Sequence, residues 1–250
     1  MNRLKDQVAI VTGASRGIGR SIAEVFADEG ANIVVNYTSN EKKASEVAKE
    51  IERKGRQAVC VKADVSNPAD VKRLVNATLE KFGRIDILVN NAGVMFPEDF
   101  LTAKDEVWDK TMDINLKGAY LCSKEVAPIM MKQKRGKIIN ISSNSGLYHP
   151  SAMRYVEYVT SKAGMNGMTK AMAFRLGPYV TVNAICPGYI KTEMVAHNDP
   201  ATEKAVIDET ALKRFGRPDE VASAAVYLAS NEADFVTGEL LIVAGGRGMH

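Results

Sequence analysis

Histidine, cysteine and tryptophan are scarce: the chain carries three, three and one of them in 250 residues. Cys60, Cys122 and Cys186 are odd in number and far apart, and His149, His197 and His250 share no ligand spacing. Neither a disulfide framework nor a metal site is expected, and a reducing, cytoplasmic setting fits. Long apolar runs are also missing. The first, Val8 to Val11, follows a charged N-terminal stretch and falls far short of the roughly 18 residues of a membrane span, so no membrane association and no export signal is expected. Nor does one charge dominate: 33 Lys and Arg stand against 30 Asp and Glu, a net charge of +3. Without a basic run or an aromatic-interleaved basic stripe, nucleic acid is not expected as a partner. What is plentiful is apolar residue, 46% of the chain beside 25% charged, enough for one large core.

Short β-rich apolar segments alternate with amphipathic stretches of helical length, the pattern of right-handed βαβ crossovers. The expected fold is α/β, a doubly wound parallel sheet in a single domain over 1–250. Seven strands are predicted near 7–12, 31–37, 57–62, 86–90, 137–142, 179–185 and 239–243, most of them Val/Ile-rich and suited to burial on both faces. The spacing of Ile18, Ile22, Val25 and Phe26 predicts one apolar helix face closed by Gly30. Ala44, Val47, Ala48 and Ile51 repeat it before Gly55. A third helix starts at the Asn67-Pro68 cap, buries Val71, Leu74, Val75 and Leu79, and stops at Gly83. From Tyr189 to about Leu212 no period is clear, and this stretch, with Met194, Val195 and His197-Asn198-Asp199-Pro200, is expected to be a mobile lid over a site.

The first strand runs into Thr12-Gly13-Ala14-Ser15-Arg16-Gly17-Ile18-Gly19, with a helix beginning inside the loop. Backbone N–H groups and the helix dipole then face a common point, where a pyrophosphate is the natural occupant. Glycines at 13, 17 and 19 permit positive φ, close backbone approach and tight packing, in a G-x-x-x-G-x-G spacing that differs from the commoner dinucleotide G-x-G-x-x-G. A packing turn without ligand is the alternative, and the strand-turn-helix context weighs against it. No acid ends strand two to meet an adenosine ribose; Asn36-Tyr37-Thr38-Ser39-Asn40 offers hydroxyls and amides, and Arg16 can approach the same ribose. This favours a 2′-phosphate and NADP(H), with a solvated Arg16 and NAD as the competing reading.

With these residues the chain resembles the short-chain dehydrogenase/reductase family. Thr12-Gly13 through Gly19 is followed in the family's order by Asn90-Asn91-Ala92-Gly93, Asn115, Ser143, Tyr158-x-x-x-Lys162 and Pro187-Gly188, across nearly the whole chain. The resemblance implies a Rossmann-type sheet, nicotinamide cofactor binding and a homotetramer.

Tyr158 and Lys162, at i and i+4, share one face of a helix predicted over about 155–176. An adjacent ammonium is expected to lower the Tyr158 pKa and make the phenol a general acid or base. Tyr155 has Val159 in the partner position and lacks that assistance. By resemblance Lys162 also binds the nicotinamide ribose, Ser143 steadies the substrate oxygen with Ser142 and Ser145 as rivals, and Asn115 holds a water that completes a proton relay. A buried amide in a kinked helix is the plain alternative for Asn115. Asn91, Ala92 and Gly93 are expected beside the cofactor, with sheet support as the competing role of Asn90 and Asn91. Asp64 and Val65 resemble the pair that meets the adenine, although an Asp before a Ser66-Asn67-Pro68 cap is unremarkable alone. Pro187, Gly188, Ile190 and Thr192 are expected at the carboxamide. The implied chemistry is hydride transfer to a carbonyl carbon while Tyr158 protonates its oxygen, without a metal.

Two departures from the family pattern stand out: Ser143 and Tyr158 are 15 residues apart, slightly more than usual, which puts extra length at Leu147 to Arg154, and Ala244 precedes Gly245-Gly246 where an Asp is expected. Among relatives, the likeness is greatest to 3-oxoacyl-[acyl-carrier-protein] reductases, with an acyl-thioester substrate and acyl carrier protein as implied partners. Arg135 resembles a basic residue that meets that carrier, while Phe174 replaces a second one, with Arg175 beside it. Glucose 1-dehydrogenases and general ketone reductases are the alternative, and a catalytically idle NADP-binding regulator is the reading outside enzymes.

Overall fold

The computed structural model describes residues 2–147, 155–193 and 200–248. Seven strands form one sheet: β1 Val8–Val11, β2 Asn32–Tyr37, β3 Ala58–Lys62, β4 Ile87–Asn90, β5 Gly136–Ile141, β6 Val180–Pro187 and β7 Leu240–Val243. All pairings are parallel, in the order β3-β2-β1-β4-β5-β6-β7. The crossover helices are α1 Gly17–Asp28, α2 Glu41–Arg53, α3 Pro68–Phe82, α4 Asp105–Met112, α5 Gly118–Gln133, α6 Val156–Leu176, α7 Pro200–Glu209 and α8 Pro218–Ala229. The sheet is the predicted one, with boundaries shifted by one or two residues.

Strand alternation divides the core into two layers. Ala9, Val11, Ile33 and Val35 face the layer holding Ile22, Phe26, Val47 and Val226, whereas Ile10, Val34, Leu88 and Val182 face Val71, Leu74, Val126 and Met130. A strand buried on both faces must be apolar at every position, which is why these segments read as continuous runs. Local signals set the helix ends: Asn67 Oδ1 accepts from Ala69 N at 2.9 Å, and Gly83 closes α3 at φ 73°.

The apolar face of α1 is the predicted one, with Ile22 and Phe26 buried beside Gly19, Ala23 and Ala27, and Ile18 and Val25 half-buried against the same core. One expectation needs correction. The stretch after Tyr189 is not irregular throughout: Pro200–Glu209 is helical and buries Val206. Its weak amphipathic pattern hid the helix. Met194, Val195 and His197 to Asp199 lie outside the described residues, as does 148–154 of the lengthened loop.

The chain winds outward from β1 to β3, returns to β4 beside β1, and continues the other way. Neighbouring crossovers therefore leave β1 and β4 on opposite faces and open a crevice at their carboxyl ends.

Candidate active site

Thr12 and Asn91 join the two sides of this crevice. Thr12 Oγ1 accepts from the backbone N–H groups of Asn91 at 2.9 Å and Ala92 at 3.0 Å, and Asn91 Nδ2 donates to the carbonyls of Thr12 at 2.9 Å and Gly13 at 3.2 Å. Asn36 supplies a third tie: its Oδ1 accepts from Gly13 N at 3.1 Å and its Nδ2 donates to Ala63 O at 2.9 Å. The amide of Asn36 is thus a brace for the turn rather than a donor toward a ribose. A polar residue inside a doubly buried strand was the signal for this role, since such an amide must be satisfied internally.

The glycines fill the roles their spacing implied. Gly13 and Gly17 have φ of +62° and +55°, and a side chain on Gly19 would come within 2.4 Å of Asn91 Nδ2 and 2.6 Å of Gly13 O. Helix α1 starts at Gly17 with no side-chain cap and no acid in its first turn, leaving its first N–H groups and positive dipole end to the crevice. Ser15 and Ile18 are half-buried there, and Arg16 is exposed and pairs with Glu193. At the end of β2, Tyr37 is buried while Thr38 and Ser39 are exposed. Val65 is buried; exposed Asp64 accepts from Ser66 N at 2.9 Å and Ser66 Oγ at 2.7 Å, the local turn that its sequence context also allowed.

On the other side of the crevice, α6 brings its polar face to the end of β5. Ser143 is buried there and Tyr158 half-buried. Ser143 also hydrogen-bonds Ser145 at 3.1 Å. Ser142 points elsewhere, donating to Asn166 Oδ1 at 2.7 Å and Lys162 O at 3.2 Å, so the structure places Ser143 beside Tyr158 and ties Ser142 to α6. Lys162 Nζ donates to Ile141 O at 2.8 Å and lies 5.7 Å from the centre of the Tyr158 ring. The lysine therefore faces the ring rather than the phenol oxygen.

The expected lowering of the Tyr158 pKa is not found. Burial pushes the phenol above its ordinary value, a hydrogen bond with the Ser143 side chain opposes this, and nearby Tyr189 adds to it. Burial also brings Lys162 down to about 8. Desolvation disfavours the charged form of each group and is the largest cause of both shifts.

Asn115 sits in a single π turn, Asp113–Lys117, between α4 and α5, and is completely buried. Its Oδ1 accepts from Val94 N at 2.8 Å; its Nδ2 donates to Val94 O at 2.9 Å and Ser161 Oγ at 3.1 Å. It reaches α6 through Ser161, the neighbour of Lys162. Gly93 makes room: a side chain there would start 3.3 Å from Asn115 Oδ1 and 3.7 Å from Lys162 Nζ. Pro187 ends β6, Gly188 packs against Ala244, and Ile190 is buried with Thr192 near Gly17 across the crevice.

A family model described as Enoyl-(Acyl carrier protein) reductase matches residues 13–248, and the chain is 42% identical over 248 residues to a 3-oxoacyl-[acyl-carrier-protein] reductase of Synechocystis sp., covering 98% of each. The chain belongs to the short-chain dehydrogenase/reductase family. It is an oxidoreductase of that family by sequence and by structure. The solved 3-oxoacyl-[acyl-carrier protein] reductase of Brucella melitensis superposes with a TM-score of 0.92 at 33% identity, over 100% of this chain and 94% of that one. A putative gluconate dehydrogenase of Agrobacterium tumefaciens superposes with a TM-score of 0.93, also at 33%, over 99% and 98%. Likeness of fold at this level is indifferent to substrate, so the choice between such relatives rests on side chains.

The crevice fits the nicotinamide dinucleotide used by short-chain dehydrogenases. The uncapped helix end and the two positive-φ glycines leave a backbone cradle, and Gly93 keeps the space beside Lys162 and Asn115 free of a side chain. Among the described residues no helix is long and apolar enough to cross a membrane.

Proposed function

We propose that the protein is an NADP(H)-dependent carbonyl reductase acting on 3-oxoacyl thioesters, with the acyl group delivered on an acyl carrier protein. The observation that carries this reading is the convergence of Ser143, Tyr158 and Lys162 at the carboxyl end of β5, across the crevice from the glycine turn. The names of the Synechocystis and Brucella relatives support the substrate class. The exposed Arg16 and the absence of an acid at Tyr37, Thr38 and Ser39 support the phosphorylated cofactor.

In this reading Gly13, Ser15, Gly17, Ile18 and Gly19 hold the pyrophosphate, and Arg16, Thr38 and Ser39 surround the adenosine ribose. Asp64 and Val65 meet the adenine, Asn91, Ala92 and Gly93 line the central crevice, and Pro187, Gly188, Ile190 and Thr192 meet the carboxamide. When bound, the cofactor supplies the two electrons of the reduction. Ser143 donates a hydrogen bond to the substrate oxygen, and Tyr158, kept protonated by burial, delivers the proton to it. Lys162 holds the nicotinamide ribose and Tyr158, and Asn115 fixes the backbone at Val94 and the Ser161 end of the proton path. Helix α7, Pro200–Glu209, covers the substrate and excludes water. Large side chains left exposed on α4, α5 and α6, namely Trp108, Tyr120 and Phe174, support assembly into a homo-oligomer, proposed as a tetramer.

Initial rates of NADPH and NADH oxidation with acetoacetyl thioesters, plain ketones and aldehydes, and of NADP⁺ reduction with D-glucose, test the reading. Thioester turnover with preference for NADPH is expected. Turnover of the sugar alone assigns the protein to the polyol side of the family instead.

A further inference from the structure

Arg16, at the N-cap of α1, and Lys43, in the first turn of α2, come from successive crossovers, and one carboxylate joins them. Glu193 Oε1 accepts from Lys43 Nζ at 2.6 Å, and its Oε2 accepts from Arg16 Nη1 at 3.4 Å. Hydrogen bonding and charge from Lys43 and Arg16 hold the Glu193 carboxyl below its ordinary value. Glu193 reaches them from the opposite wall of the crevice: Thr192, the residue before it, is so close to the glycine turn that a side chain on Gly17 would lie 3.6 Å from its methyl. Lys43 is fixed at its backbone, where its N–H donates to Asn40 Oδ1 at 2.9 Å. The clasp sits among the exposed residues that follow β2, beyond Tyr37.

The charges in this clasp do not balance. Two cations face one carboxylate, whereas a phosphate monoester carries between about one and a half and two negative charges at neutral pH and three acceptor oxygens. All three side chains are substantially exposed, and ion pairs between exposed groups contribute little stability. A phosphate dianion matches the charge of this pair better than one carboxylate does, and the exposed ion pairs it would break are weak.

Resting on the NADP(H) reading above, we propose that Glu193 is a resident anion occupying the place of the cofactor's 2′-phosphate, and that Lys43 joins Arg16 in taking that phosphate when Glu193 is displaced. Lys43 is then a specificity-determining residue outside the glycine turn, and Glu193 an internal competitor. A cofactor without the phosphate leaves the Glu193 clasp closed, so discrimination between cofactors is a difference between two anions competing for one pair of cations.

Calorimetric titration of the full chain with adenosine 2′,5′-bisphosphate and with adenosine 5′-monophosphate separates the two levels of the argument, and needs no turnover. The wild type is expected to bind the bisphosphate more tightly. Lys43→Met should weaken bisphosphate binding about tenfold, the loss of one charge-assisted contact, and leave the monophosphate unchanged. Glu193→Gln should tighten bisphosphate binding about threefold, again without effect on the monophosphate. Equal affinity of the wild type for both nucleotides overturns the NADP(H) reading and this proposal with it. A wild type that discriminates, with Lys43→Met binding the bisphosphate normally or Glu193→Gln binding it no better, overturns the proposal and leaves the cofactor reading standing. Both substitutions are on exposed side chains, and unchanged circular dichroism checks that each variant is folded.

Discussion

The guanidinium of Arg247 lies 4.9 Å from the centre of the Tyr189 ring while its Nη2 donates to Glu209 Oε2 at 2.7 Å. Arg247 is only 2% exposed, and its carbonyl accepts from Asn144 Nδ2 at 3.4 Å. One residue of the C-terminal tail thus braces the end of α7, Tyr189 and the turn that follows Ser143. Arg247→Ala removes the stacking and the ion pair but leaves Glu209 half-exposed, so the expected loss of stability is moderate, about 1–3 kcal/mol. Hydrogen exchange measured on 200–209 should quicken more than exchange in β4 or β5; uniform protection would show that α7 does not depend on this brace.

Tyr155, the N-cap of α6, has Val159 rather than a lysine four residues on, so Tyr158 is the phenol placed to give the proton. Tyr158→Phe is expected to lower kcat by roughly 10²–10⁴ with little change in the unfolding midpoint. Because burial raises the phenol's pKa, reduction finds the acid already protonated at pH 7. The reverse reaction needs the phenolate, so alcohol oxidation should speed up with rising pH through the neutral range while ketone reduction does not. A reduction rate that survives in Tyr158→Phe removes the tyrosine from the mechanism.

Lys162 carries a stability signature of its own. Its ordinary pKa of 10.5 applies to the unfolded chain, and its folded value is about 8. Between these values the unfolded chain binds more protons, so the contribution of this residue to stability rises with pH; below about 8 the buried charge opposes folding in full. Lys162→Met, inactive by the proposed mechanism, should be more stable than the wild type at pH 7 by roughly 1–3 kcal/mol, allowing for the lost bond to Ile141. Urea titrations at pH 7 and at about pH 9.5 should show that advantage shrinking. An advantage independent of pH would assign the effect to packing.

Gly19→Ala tests the joint between α1 and the β4 turn. The added methyl would lie 2.4 Å from Asn91 Nδ2 and 2.6 Å from Gly13 O, and the carbonyl is backbone that cannot rotate away. A cost of about 1–3 kcal/mol is expected, a fall of several degrees in Tm. Gly55→Ala is a useful comparison, because its added methyl meets nothing within 4 Å and only its φ of +76° penalises it.

Much of this architecture was legible in the chain itself. Seven apolar runs bounded by turns became seven parallel strands, because a strand covered on both faces admits few polar side chains. Asn67-Pro68 and Gly83 marked the ends of α3 for local reasons, a side-chain cap and a left-handed stop. The spacing of Tyr158 and Lys162 placed both on one face of α6. Helix α7 was missed because its stripe is short, with Val206 its one buried residue.

The sequence by itself determined the sheet, the crossover helices and the identity of the polar residues near its carboxyl edge, since those follow from periodicity and local backbone preference. Only the tertiary structure decided what each polar group does. It turned the Asn36 amide into a brace, separated Ser143 from Ser142 by the direction of their hydroxyls, and set Lys162 against Ile141 and the Tyr158 ring. It also reversed the expected shift of the Tyr158 pKa and brought Glu193 to Lys43 across 150 residues of chain. Hydrogen-bond direction and desolvation depend on which distant segments close around a group, and those neighbours are fixed by packing rather than by spacing along the chain.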